Sequence, residues 1–242
     1  MEKKYKYDAV IFDMDGTIVN TESIWHNAAQ SLLTRRGIVL DPEKEQTLFK
    51  QTQGLALHKS VFLIKQAGQL PESVEELITE KSQYAHELYE QGITFIDGFQ
   101  LFHQKLVQYK LKTAIATNAT ADTTTLTDQI LNLQQFFGKH IYNVTHVDYV
   151  NKPDPALYFH AAKQLNIEPT RCIAIEDSIN GVKAAKQAGM YCIGINTAKK
   201  PELLQEADCI VNGYDNIALE ELLEIKQSNN KNVLRTHQSL RP

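Results

Sequence analysis

Short apolar runs alternate with amphipathic stretches over most of the chain, and one block near its start breaks the alternation. Val10-Ile11-Phe12 is a continuous apolar run, too short for a membrane span and suited to a buried parallel strand. The pattern then turns helical for about 70 residues. Thr21 or Ser23 can cap a helix that runs to Arg36 and stops at Gly37. A second helix begins near Pro42, and a third spans Leu55 to Ala67, with Gly68 ending it. Pro71-Glu72-Ser73 opens a long amphipathic helix carrying Val74, Leu77, Ile78, Tyr84 and Leu88 and ending at Gly92. No strand pattern interrupts this block, so it reads as a small helical bundle.

From Phe99 onward strands and helices alternate. Strands are predicted at Lys112–Thr117, Ile141–Thr145, Cys172–Ile175, Tyr191–Ile195 and Cys209–Val211. Amphipathic stretches lie between them at Leu101–Tyr109, Asp122–Leu133, Ala156–Leu165, Ile179–Ala188 and Pro201–Glu206. This alternation implies an α/β fold, a Rossmann-like parallel sheet with helices on both faces. The first strand joins that sheet, which makes the helical block an insertion. The expected core is therefore discontinuous, residues 1–20 and 93–242, with an all-helical domain at 21–92. Residues 226–242, rich in Lys, Asn, Gln and Arg, have few apolar anchors and are expected to be mobile.

Composition narrows the function classes. The 242 residues are 43% hydrophobic and 22% charged, ordinary for a globular protein with ample core. A net charge of −4 gives no electrostatic case for nucleic-acid binding. No apolar run approaches the ~20 residues of a membrane helix. Asp13 and Asp15 interrupt the short apolar run behind the basic amino terminus, which argues against a secretory signal. Cys172, Cys192 and Cys209 sit in or beside strand-like runs without ligand spacing, as core residues in a reducing compartment do. A cytoplasmic monomer is expected.

The candidate chemistry lies at the strand ends. Asp13-Met14-Asp15-Gly16-Thr17 delivers two carboxylates into a glycine turn at the carboxyl edge of the sheet, where open α/β folds place ligands. Two such charges are costly unless a cation neutralises them or one holds a proton. A calcium loop starting at Asp13 fails, because its twelfth position is Ile24. Three more clusters follow: Thr117-Asn118, Asn151-Lys152-Pro153-Asp154-Pro155 and Glu176-Asp177-Ser178. Each alone has an ordinary reading, as turn formers, a solvated lysine or favourable charge at a helix start. Acid pair, hydroxyl, lysine and acid pair on four successive strand ends are hard to obtain from turn statistics.

That order resembles the four motifs of the haloacid dehalogenase-like hydrolase superfamily, and the resemblance runs from residue 5 to about 225. Asp13–Thr17, Lys152-Pro153-Asp154-Pro155, Ile175-Glu176-Asp177-Ser178, Asn180-Gly181-Val182 and Ala188-Gly189-Met190 carry it. It is similar to the branch of β-phosphoglucomutase and the small sugar-phosphate phosphatases, whose helical cap is inserted after the first motif. The resemblance implies Asp13 as nucleophile forming an aspartyl-phosphate, and Asp15 as general acid and then base. It implies Mg²⁺ held by Asp13, the Asp15 backbone carbonyl, Glu176 and Asp177. Lys152 would offset the charge of Asp13 and phosphate, while Thr117 and Asn118 would donate to phosphate oxygens.

Function then divides by residue. Asp15 disfavours dehalogenase and phosphonatase chemistry, which lack the second acid. In β-phosphoglucomutases a cap histidine gates the general acid; the ungapped position here is Trp25, with His26 beside it, and Trp cannot relay a proton. The reading is therefore a phosphatase of a small phosphorylated metabolite, with a phosphomutase as the alternative and a non-catalytic phosphate-binding protein third. Thr21, Glu22, Trp25, His26 and Lys81 are candidate substrate contacts, with Gln53, His58 and Tyr84 as further polar cap residues.

Overall fold

The structure, a computed structural model, describes residues 5–52, 55 and 57–224, with Glu22 as backbone only. Gln53 and the stretch 226–242 lie outside the described residues. Strand β1 (Ala9–Phe12) leads into four helices: α1 (Glu22–Thr34), α2 (Pro42–Thr52), α3 (Leu57–Gly68) and α4 (Val74–Glu90). The alternating part follows as α5 (Phe99–Gln108), β2 (Lys112–Ala116), α6 (Ala121–Leu131), α7 (Gln134–Phe137) and β3 (Ile141–Tyr142). It ends with α8 (Ala156–Leu165), β4 (Cys172–Glu176), α9 (Ile179–Gln187), β5 (Tyr191–Ile195), β6 (Cys209–Val211) and α10 (Leu219–Leu223). Among the described residues no helix is long and apolar enough to cross a membrane.

The six strands form one parallel sheet in the order β3-β2-β1-β4-β5-β6. Strand order reverses at β1, which pairs with β2 on one side and β4 on the other. Such a reversal opens a crevice beyond the carboxyl ends of the central strands. Every residue of β1 is buried, as its unbroken apolar run requires. Val10 and Phe12 face a core with Phe99, Phe102 and Phe137. Ala9 and Ile11 face the opposite core, where Ala114, Ala116 and Ala174 let α8 approach through Ala161 and Ala162.

The amphipathic helices of residues 22–90 pack on one another, α1 chiefly against α4. Ser73 and Glu76 form a reciprocal capping box that starts α4, as the Pro-Glu-Ser sequence suggests. Arg36 ties the end of α1 to Glu72 and Glu80 at 2.8 and 2.6 Å. The two chain crossings into this block bond to each other: Asn20 N–H donates to Thr94 O at 3.0 Å and Ile96 N–H to Ile18 O at 2.8 Å. Val19 forms isolated bridges with both Asp15 and Phe95.

Three elements differ from the sequence reading. β3 stops at Tyr142, because the Asn143 side chain accepts the Thr145 N–H at 3.1 Å and starts a 3₁₀ turn over Val144–Val147. The stretch at Pro201–Glu206 is a 3₁₀ turn, Pro201–Leu204. Thr21 precedes α1 but makes no side-chain cap bond, since its hydroxyl is engaged elsewhere.

Candidate active site

β1, β2 and β4 end at the same edge of the sheet, and Asp13, Thr117 and Asp177 follow them directly. Lys152, from the loop before α8, reaches the same point. Its Nζ lies 2.6 Å from Asp13 Oδ1 and 2.5 Å from Glu176 Oε1, and all three residues are buried. One carboxylate oxygen each of Asp13, Glu176 and half-buried Asp177 lies within 4.8 Å of the others. The sequence-predicted acids and lysine, drawn from three stretches of chain that span Asp13 to Asp177, thus form one cluster.

Two glycines allow this crowding. Gly16 adopts φ +79°, and a Cβ there would come 2.2 Å from Asp177 Oδ2. A Cβ on Gly181 would lie 1.8 Å from the Glu176 carboxyl carbon. Only hydrogen fits at either place.

The electrostatics follow from burial and crowding. Burial, with Glu176 and Asp15 adding to it against the pull of Lys152, pushes the Asp13 carboxyl from 3.8 up to about 7. Burial and then Asp13 hold Asp177 well above the ordinary carboxylate range. Burial disfavours the Lys152 ammonium, yet Asp13 and Glu176 outweigh it, so its pKa lies above the ordinary lysine value.

Neighbouring side chains orient the cluster, and sequence reading missed most of them. Tyr158 OH donates to Glu176 Oε1 at 2.8 Å, and Ser178 Oγ donates to Oε2 at 3.1 Å. Thr17 Oγ1 donates to Asp177 Oδ1 at 3.2 Å, and Tyr214 OH donates to the Thr17 carbonyl at 2.9 Å. Thr197 Oγ1 donates to the Gly16 carbonyl at 2.7 Å. Thr17 was available to sequence reading as the last residue of the Asp-x-Asp-Gly-Thr run. Tyr158, Thr197 and Tyr214 carry no local signal, because only tertiary packing brings them here.

Asp15 is held from the helical block. Its Oδ1 accepts from Thr21 Oγ1 at 2.7 Å, Tyr89 OH at 3.1 Å and Trp25 Nε1 at 3.5 Å. Thr117 is buried; its Oγ1 accepts the Ala119 N–H at 3.1 Å, and among the described residues its own proton has no acceptor. Asn118, expected on phosphate, uses Oδ1 to hold the Lys152 N–H at 2.9 Å, which leaves its Nδ2 hydrogens for a ligand. Its side chain therefore also fixes the lysine loop.

A cavity of about 1220 Å³ joins this cluster to the interior of the helical block. Asp13, Asp15, Thr117, Asn118, Lys152 and Asp177 line one end; Thr21, Trp25, His26 and Lys81 are among the residues lining the rest, which also include the carboxylates of Glu45 and Glu87. The Glu22 side chain, also expected there, lies outside the described residues. His26 packs edge-on against Phe49 at 4.3 Å, and Phe49 carries Lys200 over its ring at 4.8 Å. His58 and Tyr84 do not line the cavity. His58 is exposed beside Glu75, and Tyr84 packs beneath Arg35 with its hydroxyl on Glu80.

Residues 10–195 match the family model for haloacid dehalogenase-like hydrolases. The chain is 32% identical over 210 residues to validoxylamine A 7′-phosphate phosphatase of Streptomyces hygroscopicus subsp. limoneus, covering 85% of this chain and 93% of that one. It is 28% identical over 195 residues to 6-phosphogluconate phosphatase of Escherichia coli (strain K12), covering 76% and 80%. The crystal structure of a HAD family hydrolase from Deinococcus radiodurans R1, with bound phosphate and sodium, superposes with a TM-score of 0.71 at 28% identity, covering 90% and 98%. The family match runs from β1 to the end of β5 and takes in every loop that meets at Asp13, so the chain belongs to the haloacid dehalogenase-like hydrolase family.

Proposed function

We propose that the protein is a Mg²⁺-dependent phosphatase that hydrolyses a small phosphorylated metabolite, a sugar phosphate or similar monoester, through an aspartyl-phosphate on Asp13. The observation that carries this reading is the Lys152 ammonium bridging Asp13 and Glu176 at 2.6 and 2.5 Å at the carboxyl edge of the sheet. The lysine pulls against the burial that favours protonated Asp13 and aims the carboxylate at an incoming phosphorus, and it offsets part of the charge of a phosphate drawn up beside it.

The acid cluster fits a divalent cation. Asp13, Glu176 and Asp177 set three carboxylates against one ammonium, so their full ionisation would leave two negative charges without a partner in a poorly hydrated site, in line with the raised pKa values of Asp13 and Asp177. Mg²⁺ held by Asp13, the Asp15 carbonyl, Glu176 and Asp177 would neutralise that charge and align the phosphate. The Thr117 hydroxyl and Asn118 amide donate to the remaining phosphate oxygens.

Asp15 protonates the leaving oxygen and then deprotonates the water that cleaves the phosphoenzyme. Three donors on its Oδ1 leave Oδ2 as the oxygen that carries the proton. Trp25 offers Asp15 only an N–H donor, which supports the phosphatase over the mutase. The helical block, residues 21–92, acts as a cap over the core of residues 1–20 and 93–242. The activities named for the two relatives, on validoxylamine A 7′-phosphate and 6-phosphogluconate, support a small phosphomonoester as substrate. The three unpaired cysteines support a cytoplasmic location, and we expect a monomer.

Phosphate release from p-nitrophenyl phosphate and a panel of sugar phosphates tests this. Asp13→Asn should abolish turnover while leaving the circular dichroism unchanged, and chelation should silence the wild type until Mg²⁺ is restored. Near-wild-type hydrolysis by Asp13→Asn would remove Asp13 from the nucleophile role. Interconversion of hexose phosphate isomers would favour the mutase.

A further inference from the structure

The cavity above Asp13 takes its aromatic rings unevenly from the two parts of the chain. Trp25, Phe49 and Tyr89 line it from the helical block; among the described residues Tyr149 is the one Phe, Tyr or Trp that lines it from the core. The rings of the helical block are already engaged. Trp25 meets Tyr89 edge-on at 6.3 Å and lies 5.3 Å from the Lys81 Nζ, which also reaches the Ser60 hydroxyl at 3.4 Å. Phe49 is in contact with His26 and Lys200. Tyr149 differs. It is 67% exposed, and among the described residues its ring meets no other ring or cation and its hydroxyl no hydrogen-bond partner.

The backbone makes this exposure more telling. Tyr149 follows the 3₁₀ turn over Val144–Val147 and adopts φ +60°, directly after Asp148 at φ +52°. Its N–H donates to the Val144 carbonyl at 2.9 Å, and its own carbonyl accepts from the Asn151 side chain at 2.8 Å. The left-handed conformation suits Gly, Asn or Asp and penalises a bulky side chain. A tyrosine therefore burdens this turn and, standing in water, gains no packing in return. Its ring finds a partner only when something enters the cavity. Lys152 lies three residues on, so the two Cα atoms are at most about 11 Å apart. The loop that sets the ammonium on Asp13 thus also sets this ring at the cavity mouth.

We infer that Tyr149 is a stacking platform for the organic portion of the substrate, and that it selects phosphate esters of cyclic sugars over open-chain ones. The inference rests on the phosphatase reading above and narrows its substrate class. A phosphate at Asp13 leaves its organic portion between Tyr149 and the rings of the helical block. The electron-rich face of an aromatic ring accepts the C–H face of a saturated sugar ring, which is rigid and apolar. An open-chain polyol presents no such face and loses more conformational freedom on lying against one.

The test pairs glucose 6-phosphate with sorbitol 6-phosphate, the same six carbons closed into a ring or left open. Wild-type kcat/KM should favour the ring by about fivefold or more. The ratio should fall close to one in Tyr149→Ala and persist in Tyr149→Phe, which keeps the ring and loses only the hydroxyl. Tyr149→Gly relieves the left-handed backbone, so it should melt no lower than wild type while showing the same loss of preference. A fall in its melting temperature would assign the ring a structural role and overturn the proposal. A wild-type ratio near one, or a ratio unchanged in Tyr149→Ala, also overturns it; if both esters are still hydrolysed, the phosphatase reading stands.

Should wild type hydrolyse neither ester, binding decides the matter independently of turnover. Trp25 is the sole tryptophan of the chain and lines the same cavity, so its fluorescence reports on what enters. Tighter binding of glucose 6-phosphate than of sorbitol 6-phosphate, lost in Tyr149→Ala, supports the platform. Equal binding, or none, overturns it.

Discussion

Methionine at position 81 keeps the length of the lysine stem and removes the charge, which isolates the cost of burying the ammonium. Burial pulls the pKa of this 4% exposed lysine from 10.5 to about 8, and no neighbouring charge contributes. At about 1.4 kcal/mol per pH unit, the charged form burdens the fold by about 3 kcal/mol. Loss of the long Ser60 hydrogen bond and the Trp25 stacking returns about 1 kcal/mol, so Lys81→Met should be more stable by about 2 kcal/mol near neutral pH. The sign changes with pH in a defined way. Below pH 8 folded and unfolded states are both protonated and the burden is complete; between 8 and 10.5 the folded state loses its proton first and the burden disappears. Urea unfolding followed by far-ultraviolet circular dichroism across this range measures the difference. A variant less stable than wild type at neutral pH, or an advantage that does not shrink as pH rises, would refute the reasoning.

Two further substitutions probe the site. Tyr89→Phe removes one of three donors to Asp15 Oδ1 and should lower kcat about tenfold for alkyl phosphates. It should have little effect on p-nitrophenyl phosphate, whose leaving group needs no proton; equal losses on both esters would mean that Tyr89 acts only structurally. Gly181→Ala forces a methyl group to 1.8 Å from the Glu176 carboxyl carbon and should cost about 3 kcal/mol or more. An unchanged melting temperature would show that this crowding is relieved without cost.

The parts of the site legible in the sequence are those written into strand ends. The apolar run before Asp13, the lysine ahead of α8 and the acid pair closing β4 are local patterns, and α8, β5 and β6 lie within the predicted boundaries. The short reach of sequence reading shows in residues with two competing uses. Thr21 has the chemistry of a helix cap, yet its hydroxyl serves Asp15, six residues back. Asn118 looked like a phosphate ligand and is also the anchor of Lys152, 34 residues on. Tyr89 and Tyr158 were invisible, since their hydroxyls meet carboxylates 74 and 18 residues away. Lys81 stood in the sequence as one candidate substrate contact among several, and only its burial, which no local pattern records, sets it apart.

The pairing of the two crossings at Asn20–Thr94 and Ile18–Ile96 has a mechanical consequence. Two separate threads would let the helices drift in any direction. A hydrogen-bonded ribbon bends easily about one axis and resists shear along its length, as a leaf spring does. Because Val19 also bridges to Asp15, any bending of that ribbon pulls on the backbone of Asp15 itself.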